Sequence, residues 1–170
     1  MQDVILHATT VARFSASGWT GVLIRGPSGS GKSDLALRLL ATGWRLVADD
    51  RTVVWVSGGR LWGRAPRSLA GLIEARFVGV APAPALELAP IVLAVTLTGP
   101  DETLDRIPEP AVTEILDVAL PELKLAALQE GAPAKLAAAL TMLGRGEHPA
   151  YLAGARGPGA LAGGVSKVNA

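Results

Sequence analysis

The chain has 170 residues, of which 49% are hydrophobic and 18% charged, enough for one compact domain. Its formal net charge of +1 gives no strong field for nucleic acid or an anionic membrane, and we expect neither as a partner. The sequence has no cysteine, which excludes disulfides, thiolate zinc sites and cysteine nucleophiles. Neither a signal peptide nor a long apolar run is recognisable, so we expect a cytoplasmic protein.

The first third of the chain alternates between strand and helix patterns. Residues 22–24 predict a buried strand that ends at a glycine-rich loop. The run 33–42 contains strong helix formers, has an acid in its first turn and stops at Gly43, which predicts a helix. Residues 45–48 and 52–56 predict two further strands. This order indicates an α/β fold.

The remaining elements complete one domain. Residues 91–97 form a nearly continuous apolar run that suits a strand covered on both faces, and we therefore predict a central, mostly parallel sheet. The proline-rich segment 81–84 predicts a connection, and residues 132–143 predict a terminal helix. We expect residues 1–143 to form the domain and the glycine-rich residues 144–170 to be a mobile tail.

A phosphate-binding motif follows the first predicted strand. Residues 26–33, here called the phosphate loop, match G-x-x-x-x-G-K-[ST] at every fixed position. In such loops backbone N–H groups curl round phosphate oxygens, the lysine adds a positive charge, and the serine hydroxyl can bind Mg²⁺. We therefore predict nucleotide or pyrophosphate binding. The binding residues would be Gly26, Pro27, Ser28, Gly29, Ser30, Gly31, Lys32 and Ser33.

Two adjacent acids, Asp49 and Asp50, end the predicted strand 45–48. The right-handed crossover rule sets this strand parallel to the strand before the phosphate loop and close to it. One acid could then hold Mg²⁺ through water, while the second accepted the proton of an attacking hydroxyl. The alternative is a solvated strand end with two surface acids.

The run from Gly26 to Asp50 resembles the catalytic core of the HPr kinase/phosphorylase family in both residues and spacing. The resemblance also includes His7, the segment 73–80, which is similar to the family signature, and Leu104-Asp105-Arg106. It implies the α/β fold of HPr kinases and phosphoenolpyruvate carboxykinases. It further implies a Mg²⁺-dependent enzyme that phosphorylates a serine of the phosphocarrier HPr with ATP or pyrophosphate, and that also removes this phosphate by phosphorolysis.

The resemblance also implies roles for individual residues. Ser33 and Glu74 would ligate Mg²⁺, and Asp50 would accept the proton in the kinase direction. The catalytic candidates are His7, Lys32, Asp49, Asp50 and Arg106. Without the resemblance, His7 would be an ordinary surface histidine, Arg106 a solvated charge, and Glu74 with Arg76 a structural ion pair on one strand face.

The sequence departs from the family pattern at several places. Phe77 stands where the signature has glycine, and a later basic Pro-Gly-Arg-Asn stretch has no counterpart. Because that stretch is missing, we expect phosphorolysis to be slower relative to the kinase step than in long family members. The chain resembles a short form without the N-terminal domain of longer members. We expect a homo-oligomer, but we do not infer the hexamer of the family from the resemblance.

Two other functions fit a phosphate loop. A small-molecule kinase or other NTPase would carry a mobile arginine-rich lid, for which residues 60–67 are the candidate segment. A non-catalytic nucleotide-binding regulator would retain the phosphate loop but have lost phosphoryl transfer.

Overall fold

The structure, a computed structural model, describes residues 3–99, 102–106, 108–146 and 165–166. Within these residues it contains two α-helices, α1 (Lys32–Leu40) and α2 (Ala132–Gly144), and a 3₁₀ turn at Arg67–Leu69. The strands are β1 (Val4–Leu6), β2 (Ala8–Ser15), β3 (Gly18–Arg25), β4 (Arg45–Ala48), β5 (Thr52–Ser57), β6 (Arg60–Arg64), β7 (Leu72–Ala75), β8 (Gly79–Pro82), β9 (Leu88–Leu97), β10 (Ala111–Ile115), β11 (Val118–Leu125) and β12 (Val165–Ser166).

Most predicted elements are present. The four predicted strands are β3, β4, β5 and β9, and the two predicted helices are α1 and α2. The segment 81–84 was wrongly predicted to be only a connection, because Pro82 ends β8. This proline is tolerated since, among the described residues, β8 pairs only with β7 and lies at the edge of a two-stranded sheet. Residues 147–164 and 167–170 of the predicted tail lie outside the described residues, so the domain boundary stays a prediction.

The main sheet is mixed, not mostly parallel as predicted. Ten strands of the described residues form it, and only the pairs β3–β9, β9–β11 and β10–β12 are parallel. Two-residue turns join β2 to β3, β5 to β6 and β10 to β11. Such turns force antiparallel pairing, because a parallel pair needs a crossover of a dozen or more residues. The α/β class is confirmed.

The strand that ends at Asp49 and Asp50 is one strand further from the phosphate loop than expected. The unpredicted strand β2 lies between β3 and β4 and pairs antiparallel with both. Consequently β3 and β4 run in the same direction, as predicted. Their C-terminal ends therefore bring the phosphate loop and the two acids to the same edge of the sheet.

Apolar side chains cover both faces of the central strands. Val22 and Ile24 of β3 belong to a buried cluster with Leu35 of α1 and Leu136 of α2. Leu23, between them, packs into a second cluster that includes residues of β5 and β6. Burial of one such aliphatic side chain contributes about 1.5–3 kcal/mol, so both layers stabilise the strand that leads into the phosphate loop. No helix of the described residues is both long and apolar enough to cross a membrane.

Most of the candidate lid segment 60–67 is a paired strand. Residues 60–64 form β6, which pairs with β5 and with the start of β9. Its last residue, Arg64, donates to Asp3 Oδ2 (3.3 Å) and lies 5.8 Å from the centre of the Trp55 ring. A paired strand lacks the freedom that a closing lid requires, which removes the main feature expected of a small-molecule kinase.

Candidate functional site

The phosphate loop connects the C-terminal end of β3 directly to α1. Gly31 caps α1 with a φ of 92°, and the Leu35 N–H donates to its carbonyl oxygen (2.9 Å). A Cβ on Gly31 would also lie 3.1 Å from the Ala127 Cβ, so glycine serves both the left-handed turn and the close packing. The N–H groups of the first turn and the positive end of the α1 dipole therefore face the loop, an arrangement that favours an anion.

Lys32 is buried and folds back across the phosphate loop. Its Nζ donates to the carbonyl oxygens of Gly26 (2.9 Å) and Pro27 (3.0 Å). Burial lowers the pKa of Lys32, while the negative charges of Asp50 and Asp49 act in the opposite direction. The ammonium group is thus held inside the loop, where phosphate oxygens would be stronger acceptors than the two carbonyls.

Asp49 is the structural centre of the site. Only 5% of its surface is exposed. Its Oδ1 accepts hydrogen bonds from Ser33 Oγ (2.8 Å) and Thr9 Oγ1 (2.8 Å), and its Oδ2 accepts one from the Glu74 N–H (3.0 Å). The carboxylate thereby ties together β2, the start of α1 and β7. It also orients the Ser33 hydroxyl that was predicted to bind metal.

Asp50, the next residue, lies in a contrasting environment. Its side chain is 62% exposed, and its Oδ1 lies 3.1 Å from His7 Nε2. The backbone has a φ of 61°, a left-handed conformation that aspartate adopts more readily than most residues. The Asp50 carbonyl oxygen accepts from the Ala8 N–H (3.1 Å), which fixes the strand end beside His7. This carboxylate is accessible to an incoming acceptor.

The residues that could hold a divalent cation are Ser33, Asp49 and Glu74. The Glu74 backbone is fixed by its hydrogen bond to Asp49, while its carboxylate is exposed. In the described part of the chain no group of three or more His, Asp or Glu side chains could hold a metal ion. One hydroxyl and two carboxylates nevertheless fit Mg²⁺, which usually keeps several waters and takes further oxygens from substrate phosphates.

Arg106 is not joined to the other predicted site residues. It is exposed and lines a cavity of about 710 Å³ together with Glu122 and Lys124 of β11. Among the described residues no hydrogen bond or ion pair connects Arg106 to the phosphate loop or to the acids. Its catalytic role therefore stays a prediction.

Arg76 is a site candidate that the sequence pattern did not indicate. It was expected on a strand face with Glu74, but β7 ends at Ala75 and Arg76 begins the following turn. Its Nη2 lies 4.0 Å from the position that a Cβ on Gly29 would occupy. The guanidinium thus borders the phosphate loop, where it could contact phosphate oxygens. The resemblance of residues 73–80 to the family signature was the signal for Arg76. The sequence pattern did not show, however, where the turn within this segment lies.

The site has the features of an α/β phosphate-binding domain: a glycine-rich loop, a buried lysine and two acids at one sheet edge. A family model described as the HPr serine kinase C-terminal domain matches residues 5–143. The chain therefore belongs to the HPr serine kinase C-terminal domain family.

Curated relatives with the name HPr kinase/phosphorylase are similar over parts of the chain. The protein of Streptococcus thermophilus is 52% identical over 61 residues, or 35% of this chain and 20% of the relative. That of Streptococcus pneumoniae is 38% identical over 116 residues, or 62% of this chain and 37% of the relative. The matches thus span well under half of each relative.

A solved structure supports the fold. The Hpr(Ser) kinase/phosphatase from Coxiella burnetii matches with a TM-score of 0.69 and 24% sequence identity. The match covers 84% of this chain and 96% of that one. It confirms the α/β architecture that the sequence predicted from the family resemblance.

Proposed function

We propose that this chain is an ATP- and Mg²⁺-dependent kinase that phosphorylates a serine of HPr or an HPr-like phosphocarrier, with pyrophosphate as a possible second donor. The observation that supports the proposal is that the two adjacent acids beside the phosphate loop lie in different environments. Asp49 is buried and accepts three hydrogen bonds, whereas Asp50 is exposed beside His7. Membership of the HPr serine kinase family supports the same activity.

The phosphate loop, within a catalytic domain of residues 1–143, would hold the donor. Its backbone N–H groups and the Lys32 ammonium would bind the phosphate oxygens. Ser33 and Glu74 would ligate Mg²⁺, and Asp49 would orient Ser33 and complete the oxygen-rich site. Mg²⁺ supplies charge neutralisation to the phosphates when it is bound.

Phosphoryl transfer then needs an acceptor for one proton. The serine hydroxyl oxygen of the carrier forms a bond to the γ-phosphorus, the bond to the leaving ADP oxygen breaks, and the hydroxyl proton passes to Asp50. His7, 3.1 Å from Asp50 Oδ1, would keep this carboxylate in position, and Arg106 would help to neutralise charge on the transferred group. In phosphorolysis, inorganic phosphate would take the phosphoryl group and Asp50 would return the proton.

The proposal has two further parts. An enzyme that uses ATP and an HPr-like carrier works in the cytoplasm, and we infer this location. A homo-oligomer remains our prediction for the assembly.

The direct test is to incubate the purified chain with ATP, Mg²⁺ and purified HPr and to analyse the carrier by mass spectrometry. We expect one phosphoserine that depends on both ATP and Mg²⁺. ATP binding without any phosphoserine would instead support the non-catalytic regulator. Transfer to small molecules but not to HPr would support the small-molecule kinase. Replacing ATP with pyrophosphate in the same assay determines the donor.

A further inference from the structure

The cavity of about 710 Å³ that Arg106 lines extends between the end of β11, helix α2 and the residues that precede β10. Most of its lining is apolar. The apolar residues include Leu104, Leu123, Leu125, Ala138, Ala139 and Met142. A cavity of this size with mostly apolar walls and a few polar groups is typical of a small-molecule site.

One wall of the cavity leads directly to the phosphate loop. Leu125 and Gln129 line the cavity, and the turn between them packs against the loop. In this turn the Ala127 Cβ lies 3.1 Å from the position that a Cβ on Gly31 would occupy. Arg38 of α1 donates hydrogen bonds to the carbonyl oxygens of Ala127 and Gln129, which holds the turn in place. The cavity and the phosphate loop therefore share this turn.

The sheet order sets the direction in which a donor would lie. The phosphate loop follows β3, and Asp50 follows β4, which lies beyond β2 on one side of β3. On the other side lie β9 and then β11, both parallel to β3, so the C-terminal end of β11 reaches the same sheet edge as the loop. A donor whose γ-phosphorus faced an acceptor at Asp50 would extend away from β4. Its other end would then lie towards β11 and the cavity.

We propose that this cavity binds the nucleoside part of the ATP donor. The inference rests on the proposed kinase function and adds which part of the donor the protein recognises besides the phosphates. The flat faces of a purine base fit apolar walls, and the Met142 thioether is suited to contact with an aromatic ring. The nucleoside site would make ATP a better ligand than inorganic polyphosphates of equal length.

The charges around the cavity fit an uncharged ligand group. The lining contains four acids and three basic residues, so it offers no excess positive charge to a further anion. Lys124 is paired with Glu102 (3.5 Å) on an exposed surface, and we do not assign either of them to the nucleoside. The carboxylates of Asp105 and Glu109 can accept hydrogen bonds from ribose hydroxyls. The nucleoside therefore suits the cavity, whereas the phosphates suit the loop.

The test compares the binding of ATP with that of inorganic tripolyphosphate, which has the phosphate chain without a nucleoside. Both are titrated by calorimetry in the presence of Mg²⁺. The variant Ala138→Trp fills part of the cavity from an exposed position on α2. We expect the dissociation constant of ATP to rise by about tenfold or more, because the base loses apolar contacts, and that of tripolyphosphate to stay unchanged. Thermal unfolding checks that the variant is folded.

A second variant and a control accompany this measurement. Met142→Asn keeps the cavity open but replaces an apolar wall by an amide, and we expect the dissociation constant of ATP to rise by about two- to tenfold. Ala134→Trp is the matched control, because Ala134 is exposed one turn earlier on α2 and does not line the cavity. Its dissociation constants for both ligands should equal those of the native chain.

The other outcomes separate this proposal from the kinase proposal. Unchanged ATP binding in both cavity variants would overturn the nucleoside site and leave the phosphate loop intact. Equal weakening of ATP and tripolyphosphate would also overturn it, because the variants would then act on the loop. The expected loss of ATP binding together with a native chain that never phosphorylates HPr would retain the nucleoside site and reject the kinase function. A native chain that binds neither ligand would reject both.

Discussion

Two regions of the site differ in burial and in hydrogen bonding. One is the buried cluster around Asp49, and the other is the open side formed by Asp50 and the β7–β8 turn. Three donors hold the Asp49 carboxylate in one orientation. Asp50 and Phe77 instead project into solvent from strained left-handed backbone. A group that orients others needs partners on every side, whereas a group that meets a substrate needs access. Neighbouring residues can therefore have different roles although their chemistry is identical.

Replacing Lys32 should have the largest effect. Lys32→Ala removes the one ammonium group inside the phosphate loop among the described residues, so we expect measurable transfer to HPr to be abolished and ATP binding to weaken. The fold should persist, because burial already disfavours the charged lysine and lowers its pKa. Activity, ATP titration and circular dichroism measure these effects. Lys124→Ala, at an exposed ion pair with Glu102, is the control. Unchanged ATP affinity in Lys32→Ala would remove the phosphate-loop assignment.

Asp50→Asn tests the open side of the site. We expect kcat to fall by about 10²–10⁴-fold, the usual effect of losing a positioned general base, while ATP binding stays nearly unchanged. Asp117→Asn is a matched control, because Asp117 has the same φ of 61° on an exposed turn between β10 and β11. Steady-state kinetics with HPr provide the measurement. A near-normal kcat in Asp50→Asn would mean that this acid is only a polar strand end.

Asp49→Asn tests the buried cluster. An amide has one acceptor oxygen and no charge, so it cannot satisfy the three donors equally well, and we expect a loss of about 1–3 kcal/mol in the free energy of unfolding. The Mg²⁺ requirement should also increase. Urea denaturation measures the stability change. Asp50→Asn should leave the free energy of unfolding nearly unchanged. Equal losses of this free energy in the two variants would contradict the proposed difference between the acids.

Glu74→Gln distinguishes the role of the Glu74 carboxylate from the role of its backbone N–H. The N–H bond to Asp49 remains, so the fold should not change, but a neutral amide is a poor ligand for Mg²⁺. We expect the Mg²⁺ concentration for half-maximal activity to rise by about tenfold. The exposed Glu87, replaced by Gln, serves as control. Identical Mg²⁺ titrations for native and Glu74→Gln chains would leave Glu74 with a structural role only.

Phe77→Gly should have the smallest effect and the opposite sign. Relief of the left-handed strain is partly offset by the greater freedom of glycine in the unfolded chain, and we expect a gain of up to about 1 kcal/mol in the free energy of unfolding. Val78→Gly should not stabilise the protein, because Val78 has no positive φ. Thermal unfolding of the two variants distinguishes them. A less stable Phe77→Gly protein would show that the freedom of glycine in the unfolded chain outweighs the relief of strain at this φ.

Local sequence patterns were sufficient to predict the strand and the helix on either side of the phosphate loop. The apolar run of β3, the helix formers of α1 and the motif between them lie next to each other in the chain, so their geometry depends on short-range preferences. The strand β2 escaped prediction, although it separates β3 from β4. Its pairing with β4 links residues distant in sequence, which single-segment patterns cannot reveal.

The amino-acid sequence was sufficient to predict that a phosphate loop, an acidic strand end and an α/β framework occur together, because these features are encoded in contiguous residues. The difference between Asp49 and Asp50 arises only in the folded chain: adjacent acids have the same local sequence signal, but Thr9, Ser33 and Glu74 donate hydrogen bonds to Asp49 alone. Tertiary structure likewise placed the Arg76 guanidinium beside Gly29 and placed Arg106 in the wall of a cavity with Glu122 and Lys124. Burial and hydrogen bonding depend on what the rest of the chain brings into contact, and this is a property of the folded molecule.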